Sequence, residues 1–272
     1  MNNKMVSVIV VTYNPNINDF TKNIKEVCKY QARVIVVDNC SLKNKKIKIK
    51  ELSKELGFKL YELASNLGIG YAQNYGILKE NNSDYYFFLD QDSYITVNQF
   101  NKLLQEFIYI EKNINKKIAA LGPAIYNKNC SQNKFTCVNQ VISSGSLISK
   151  KALHEIGLMK DNFFIDYIDY EWCWRAIYKG WYIYRSNDVE IQHETRGVPR
   201  KNGHTVDPIF RLFYIYRNST YILFHERVHI KFKLNMMIRL MGKLFFQIKL
   251  DKPIKRWKTC FLGIRNGIKG NF

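Results

Sequence analysis

No run of about 18 consecutive apolar residues occurs in the 272 residues, so no helix is expected to span a bilayer. The six cysteines form no CxxC pair and only Cys130 and Cys137 stand close together, which argues against a zinc site or a disulfide framework and for reduced thiols in a cytoplasmic protein. No apolar h-region with a cleavage site precedes the first strand, so no signal peptide is expected. Glycine is missing where some nucleotide sites require it. There is no GxGxxG, and residues 12–18 contain neither glycine nor lysine, against the basic, glycine-rich triphosphate loop of a nucleotidyltransferase. What remains, 46% hydrophobic and 24% charged residues, is ordinary for a globular chain near the upper size of one core.

The most informative segment is Asp84-Tyr-Tyr-Phe-Phe-Leu-Asp90-Gln-Asp92, an apolar run that breaks into two acids separated by one residue. The run reads as a buried parallel strand, which puts the acids at its carboxyl end, where open α/β sheets bind ligands. Carboxylates so spaced suit a hard divalent cation that keeps waters and substrate phosphates in its shell. An acidic turn is the plain alternative. Further apolar runs at 7–11 and 34–37 end in Thr12-Tyr13-Asn14-Pro15 and Asp38-Asn39, so every early strand brings a polar residue to one sheet edge. Helices are expected over 19–30, with Asp19 as N-cap, and over 43–56, 70–79 and 98–112; strands at 58–63, 85–89 and 118–125 complete a βαβ series.

The run Asn66-Leu-Gly68-Ile-Gly70-Tyr-Ala72-Gln-Asn74 places small residues at the start of a helix, which allows its free amides to approach a ligand, or the helix to pack closely on the sheet. A second acidic cluster, Phe164-Ile-Asp166-Tyr-Ile-Asp169-Tyr-Glu171-Trp172-Cys-Trp174-Arg175, sets carboxylates among aromatics, where a raised pKa suits a general base. Asp169 is the residue expected to carry that chemistry. Glu171 and Arg175 are spaced for an i,i+4 ion pair. Residues 143–149, rich in serine, are expected to floor an acceptor site, and His193, in a strand-like stretch, could complete a metal shell.

Taken in order, TYN at 12–14, VVDN at 36–39, NLGIGYAQN from 66, DQD at 90–92 and FIDYIDYEWCWR at 164–175 resemble the large bacterial GT-A family of inverting glycosyltransferases, family 2, typified by rhamnosyltransferases of surface-polysaccharide assembly. The resemblance covers about residues 5–225. It implies an α/β fold with a mostly parallel, Rossmann-like sheet, and Mg2+ or Mn2+ as cofactor. It further implies that Thr12, Tyr13, Asn14 and Asp38 hold the nucleotide, with Asp38 reading the pyrimidine, and that Asn66, Gly68, Asn74 and Asp90 meet the nucleotide sugar. Asp90, Asp92 and His193 would be metal ligands and Asp169 the base. Asp166, Glu171, Trp172 and Arg175 would orient sugar or acceptor. Gln91, in the middle of the acidic motif, favours dTDP-rhamnose over a UDP-sugar donor.

From Glu226 onward twelve Lys or Arg stand against two acids, so this segment carries about half of the net charge of +19. Met, Leu, Ile and Phe alternate with those charges, and a basic amphipathic helical appendage over 226–272 is expected beside a catalytic domain over 1–225. Its removal is expected to spare the fold. Such a segment suits peripheral association with an anionic membrane at the inner face of the plasma membrane, near a lipid-linked saccharide acceptor. Nucleic acid is the weaker reading of the charge, because long aliphatic side chains accompany it.

Overall fold

The computed structural model describes residues 4–124, 133–191, 200–201 and 204–272. Strand β1 (Val6–Thr12) is buried over its whole length, which only a strand covered on both faces can be, and its unbroken β-branched run reflects that. Parallel partners flank it on both sides: β2 (Arg33–Asp38) in a register placing Thr12 against Asp38, and β4 (Tyr85–Asp90) placing Val11 against Asp90. Between them, α1 (Ile17–Val27) begins at Asn16, whose side chain accepts from the amides of Asn18 and Asp19. Asn16 is therefore the cap where Asp19 was expected; Asp19 sits inside the first turn. Helix α2 (Lys43–Leu56) stops at Gly57 with φ of 75°, and β3 (Lys59–Glu62) extends the sheet beyond β2. Helix α3 (Ile69–Lys79) precedes β4, and α4 (Val97–Asn113), closed by a Thr96–Gln99 capping box, follows it.

The second half departs from a simple parallel series. Strands β5 (Ile118–Ala124), β6 (Phe135–Val138), β7 (Leu147–Ser149) and β8 (Tyr182–Glu190) complete one eight-stranded sheet in the order β3-β2-β1-β4-β7-β5-β8-β6. β7 runs antiparallel to both β4 and β5, and β6 antiparallel to β8, so the sheet is mixed. The chain reverses direction at β1 and β4, from building outward through β2 and β3 to building the other way. That switch point falls at the carboxyl ends of β1 and β4, where open α/β sheets form their ligand crevice. Helices α5 (Lys150–Ile156) and α6 (Ile168–Tyr178) cover one face.

Three helices close the chain: α7 (Ile209–His225), α8 (Ile230–Phe246) and α9 (Pro253–Lys269). Phe232, Met236, Leu240, Leu244 and Cys260 are buried in the same apolar cluster as Ile9, Ile35 and Phe88 of the sheet. Gly263 lies so close to α7 that a Cβ there would sit 2.5 Å from the Phe213 carbonyl oxygen. One face of these helices is buried with the sheet, so removal of residues 226–272 is now expected to disturb the fold, against the reading from sequence. The other face is outward: Ile230, Ile238 and Ile254 are 67%, 67% and 72% exposed.

Candidate active site

The crevice edge is built by three loops that hold one another. Thr12 Oγ1 donates to Asp38 Oδ1 (3.1 Å), while the Ser41 amide and hydroxyl donate to the two Asp38 oxygens at 2.9 and 2.5 Å. Asp38 is only 1% exposed. It was expected to read a base directly; in this structure both of its oxygens organise the loop after β2. Asn14, at φ 48°, receives the Leu42 amide at Oδ1 (2.7 Å) and gives its own amide to Ser41 Oγ (2.8 Å). Tyr13 stays exposed, and its amide donates to Gln91 Oε1 (2.8 Å), so Gln91 pins the β1 loop to the β4 loop.

The start of α3 is tied to the same edge. Asn66 Oδ1 accepts from Asn39 Nδ2 (2.8 Å) and from the Gly68 amide (3.1 Å). Gly68 has φ of 89°, and a Cβ there would meet the Phe164 backbone carbon at 2.8 Å, so both conformation and space demand glycine. Asn74, expected to touch the donor, is buried, and its amide exchanges two hydrogen bonds with the Met159 backbone (2.9 and 3.0 Å). It clips α3 to the loop after α5.

Asp90 and Asp92 stand at the β4 end, Asp92 exposed and Asp90 partly buried. Burial first, and the neighbouring Asp92 charge second, push the Asp90 carboxyl up to about 7. No ion pair to either is present among the described residues, and a pair in which one carboxylate raises the other fits a divalent cation that would supply the missing positive charge. With two carboxylates, such an ion would fill its shell from water and diphosphate oxygens. His193 lies outside the described residues.

The Ser143–Ser144 segment connects this pair to the second acidic cluster. Ser144 Oγ accepts from the Asp90 amide (3.0 Å), and the Ser143 amide reaches Asp169 Oδ2 (3.4 Å). Asp169 sits in the first turn of α6 and its Oδ1 accepts from the Tyr170 amide (2.9 Å). Burial raises its carboxyl to about 6; the Tyr170 and Ser143 amides oppose that rise and the charge on Asp90 adds to it. Two acids from distant parts of the chain are thus electrostatic neighbours. A partly buried carboxylate half-held by amides is suited to accept a proton near neutral pH.

The neighbours of Asp169 divide between site and scaffold. Glu171 is fully buried and pairs with Arg175 through Nε (2.7 Å) and Nη2 (2.9 Å), and Arg175 also donates to the carbonyls of Ile156 and Leu158. Trp172, 1% exposed, donates Nε1 to the Gly157 carbonyl (2.8 Å). These three were expected to orient an acceptor; their polar atoms instead bind α6 to the end of α5. Asp166 is held by Arg211 at 3.1 and 2.5 Å.

The loop before α6 carries three non-glycine residues at positive φ, Phe164, Asp166 and Tyr167. Such backbone persists only where its surroundings enforce it. Asn218 Nδ2 donates to the carbonyls of Phe163, Ile165 and Asp166, and Arg217 Nη2 to those of Asn162 and Phe163, at 2.8–3.0 Å. Arg211, Arg217 and Asn218, all on α7, were missed in the sequence. The signal available was the polar run Arg217-Asn-Ser-Thr220 inside an otherwise apolar helix.

A switch point of an α/β sheet edged by an acid pair, with a further raised carboxylate supplied by a later helix, is the arrangement of nucleotide-sugar transferases of GT-A fold. Solved structures share the fold. The S. aureus TarS fragment in complex with UDP-GlcNAc superposes at a TM-score of 0.62 over 97% of this chain and 81% of that one, at 16% identity. The Pyrobaculum calidifontis mannosyltransferase PcManGT, with GDP-Man and Mn2+, gives 0.63 over 100% and 77% at 12% identity. Residues 7–157 match the model of glycosyl transferase family 2, and the chain belongs to that family. It is 28% identical to the dTDP-rhamnosyl transferase RfbF of Shigella flexneri across 98% of this chain and 97% of that protein. No helix among the described residues is long and apolar enough to cross a membrane.

Proposed function

We propose that the protein moves L-rhamnose from dTDP-rhamnose to a hydroxyl of a polyprenyl-diphosphate-linked saccharide, an O-antigen or capsule intermediate, with inversion at the anomeric carbon. The observation that carries the reading is Asp169, a raised carboxylate without an ion-pair partner among the described residues, close enough to the Asp90–Asp92 pair to feel the Asp90 charge. The acceptor oxygen attacks the anomeric carbon as its proton passes to Asp169, and the bond from that carbon to the diphosphate oxygen breaks. A retaining route through a covalent intermediate needs a second free carboxylate as nucleophile. Asp166, the near candidate, is engaged by Arg211. Asp90 and Asp92 would hold Mg2+ or Mn2+, which when bound neutralises charge on the leaving diphosphate. In this reading residues 1–225 bind the donor and carry the chemistry.

The choice of donor is supported by the full-length likeness to a dTDP-rhamnosyl transferase. A panel of nucleotide sugars with Mn2+ tests it by melting temperature, since a ligand at a hundredfold excess over its Kd stabilises by about 2.7 kcal/mol. dTDP-rhamnose is expected to give the largest rise and a product of inverted anomeric configuration by NMR. A larger rise with a UDP-sugar would replace the donor and leave the reaction class standing.

The outward faces of α8 and α9 combine exposed Ile230, Ile238 and Ile254 with exposed Lys231, Lys255 and Lys258. In this proposal they rest on the anionic inner leaflet of the plasma membrane. Each basic residue near such a surface contributes about 1 kcal/mol. Reversing all three lysines to Glu is expected to lower partition onto phosphatidylserine vesicles by about 100-fold or more in a sedimentation assay, with melting unchanged. Undiminished sedimentation would refute the membrane contact.

A further inference from the structure

Beside Asp169 lies a second cleft, of about 460 Å³, that none of the roles above uses. Its walls come from three places: residues 137–140, the first two turns of α6, and α8. On the α6 side Tyr167, Tyr170 and Trp174 form an aromatic bank, with Tyr170 and Trp174 centroids 6.0 Å apart; Trp174 stacks in turn on Phe232 of α8 at 5.4 Å and 14°. Trp174 Nε1 is fixed by Gln140 Oε1 (2.9 Å), so the bank is rigid. Tyr170 follows Asp169 in the first turn of α6 and its phenol feels the Asp169 charge, so the cleft lies near the proposed proton acceptor.

Two polar side chains of α8 complete it. Asn235 and Arg239, one helical turn apart, both line the cleft and are exposed. Neither has a hydrogen bond or ion pair to another described residue, although the charge of Arg239 is felt at the phenols of Tyr167 and Tyr170. Aromatic faces with a few convergent polar groups in a space of roughly 300–1,000 Å³ are the make-up of a small-molecule site. The C–H face of a pyranose is apolar and its rim is polar, which matches a bank of rings opposite an amide. An unpaired guanidinium adds a fork suited to phosphate oxygens.

We infer that this cleft seats the acceptor, its terminal sugar on Tyr170 and Trp174, Asn235 at the sugar rim, and Arg239 on the phosphate group that the sugar carries. The assignment rests on the transferase reading above and deepens it. It makes α8 part of the site, so the basic segment contributes to substrate choice as well as charge. It also orders the two substrates in space. The donor occupies the crevice beyond β1 and β4, the acceptor enters between α6 and α8, and they meet at Asp169.

The test uses the full chain, calorimetry in the presence of dTDP, and two probes: farnesyl-diphospho-N-acetylglucosamine and the neutral octyl N-acetylglucosaminide. Arg239→Ala is expected to weaken the diphosphate probe tenfold or more and the neutral probe less than twofold. Asn235→Trp, which fills the cleft, is expected to weaken both by tenfold or more. Both positions are exposed, so melting and dTDP affinity should stay as in the wild type. Equal probe affinities in wild type and variants, no binding of either probe by the wild type, or a fall in dTDP affinity in step with the probes would overturn the assignment. Probe binding that responds to both variants, in a protein that transfers no sugar from any nucleotide donor, would instead refute the transferase reading and leave the cleft as a saccharide site.

Discussion

Asp169→Asn is expected to lower kcat by 10²–10⁴-fold while leaving the affinity for dTDP within about twofold, the range over which a positioned base contributes. The substitution is nearly isosteric. The Tyr170 and Ser143 amides that now donate to Asp169 can still donate to an amide oxygen, so the loop should hold. Only the capacity to take a proton is lost. The pH profile provides the companion reading. With its carboxyl raised to about 6, Asp169 is protonated below that pH, so kcat/KM in the wild type should fall about tenfold per unit on the acid side. Because the Asp90 charge contributes to the rise, bound Mn2+ should move this acid limb to lower pH. Near-normal turnover by the variant would take the base role away from Asp169.

The second large effect is expected at Asp90, where binding and stability should move in opposite directions. The Asp90 carboxyl stands near 7 in the folded protein against an ordinary 3.8. Between those values the folded chain binds more proton than the unfolded one, so this group favours folding below about pH 4 and progressively loses that contribution as pH rises towards 7. Asp90→Asn removes the loss. Metal-free variant should therefore melt several degrees above wild type at pH 8, a difference on the order of 2 kcal/mol, and the gap should close as pH falls to 4. In the same variant Mn2+-dependent dTDP affinity should drop at least tenfold. A variant that is no more stable at pH 8, or whose nucleotide affinity still responds fully to Mn2+, would contradict the account of the acid pair. Sites that bind ions are often stability liabilities when empty, because the charge arrangement is made for the ligand.

The first half of the fold could be read because buried parallel strands announce themselves. Residues 6–12, 33–38 and 85–90 are apolar on both faces, and helices at their expected places separate them. β6 and β7 could not be read in the same way. They have four and three residues, and their antiparallel insertion is decided by partners far away in the chain. The start of α1 shifted from Asp19 to Asn16 because several capping residues compete there and only geometry selects among them.

The site was legible in its acids and illegible in its scaffold. Asp90, Asp92 and Asp169 stand out because a carboxylate after an apolar run, or amid aromatics, is costly without a purpose. Which face a helical residue takes is a tertiary matter. Glu171 and Trp172 sit two and three positions from Asp169, and Asn74 lies on the helix that Gly68 opens, yet their side chains turn inward. Arg211, Arg217 and Asn218 gave only a compositional hint, since their partners lie about 45–55 residues away.

The loop of residues 162–167 has a consequence for how the molecule moves. Three left-handed non-glycine residues represent energy held in the backbone, of order 1–3 kcal/mol each, and two side chains of α7 are the latch that keeps it there. Release of that latch would let the segment relax without unfolding the sheet beneath it. Asp169, two residues beyond this loop in the first turn of α6, is thus joined to a segment whose strain is balanced by contacts with α7.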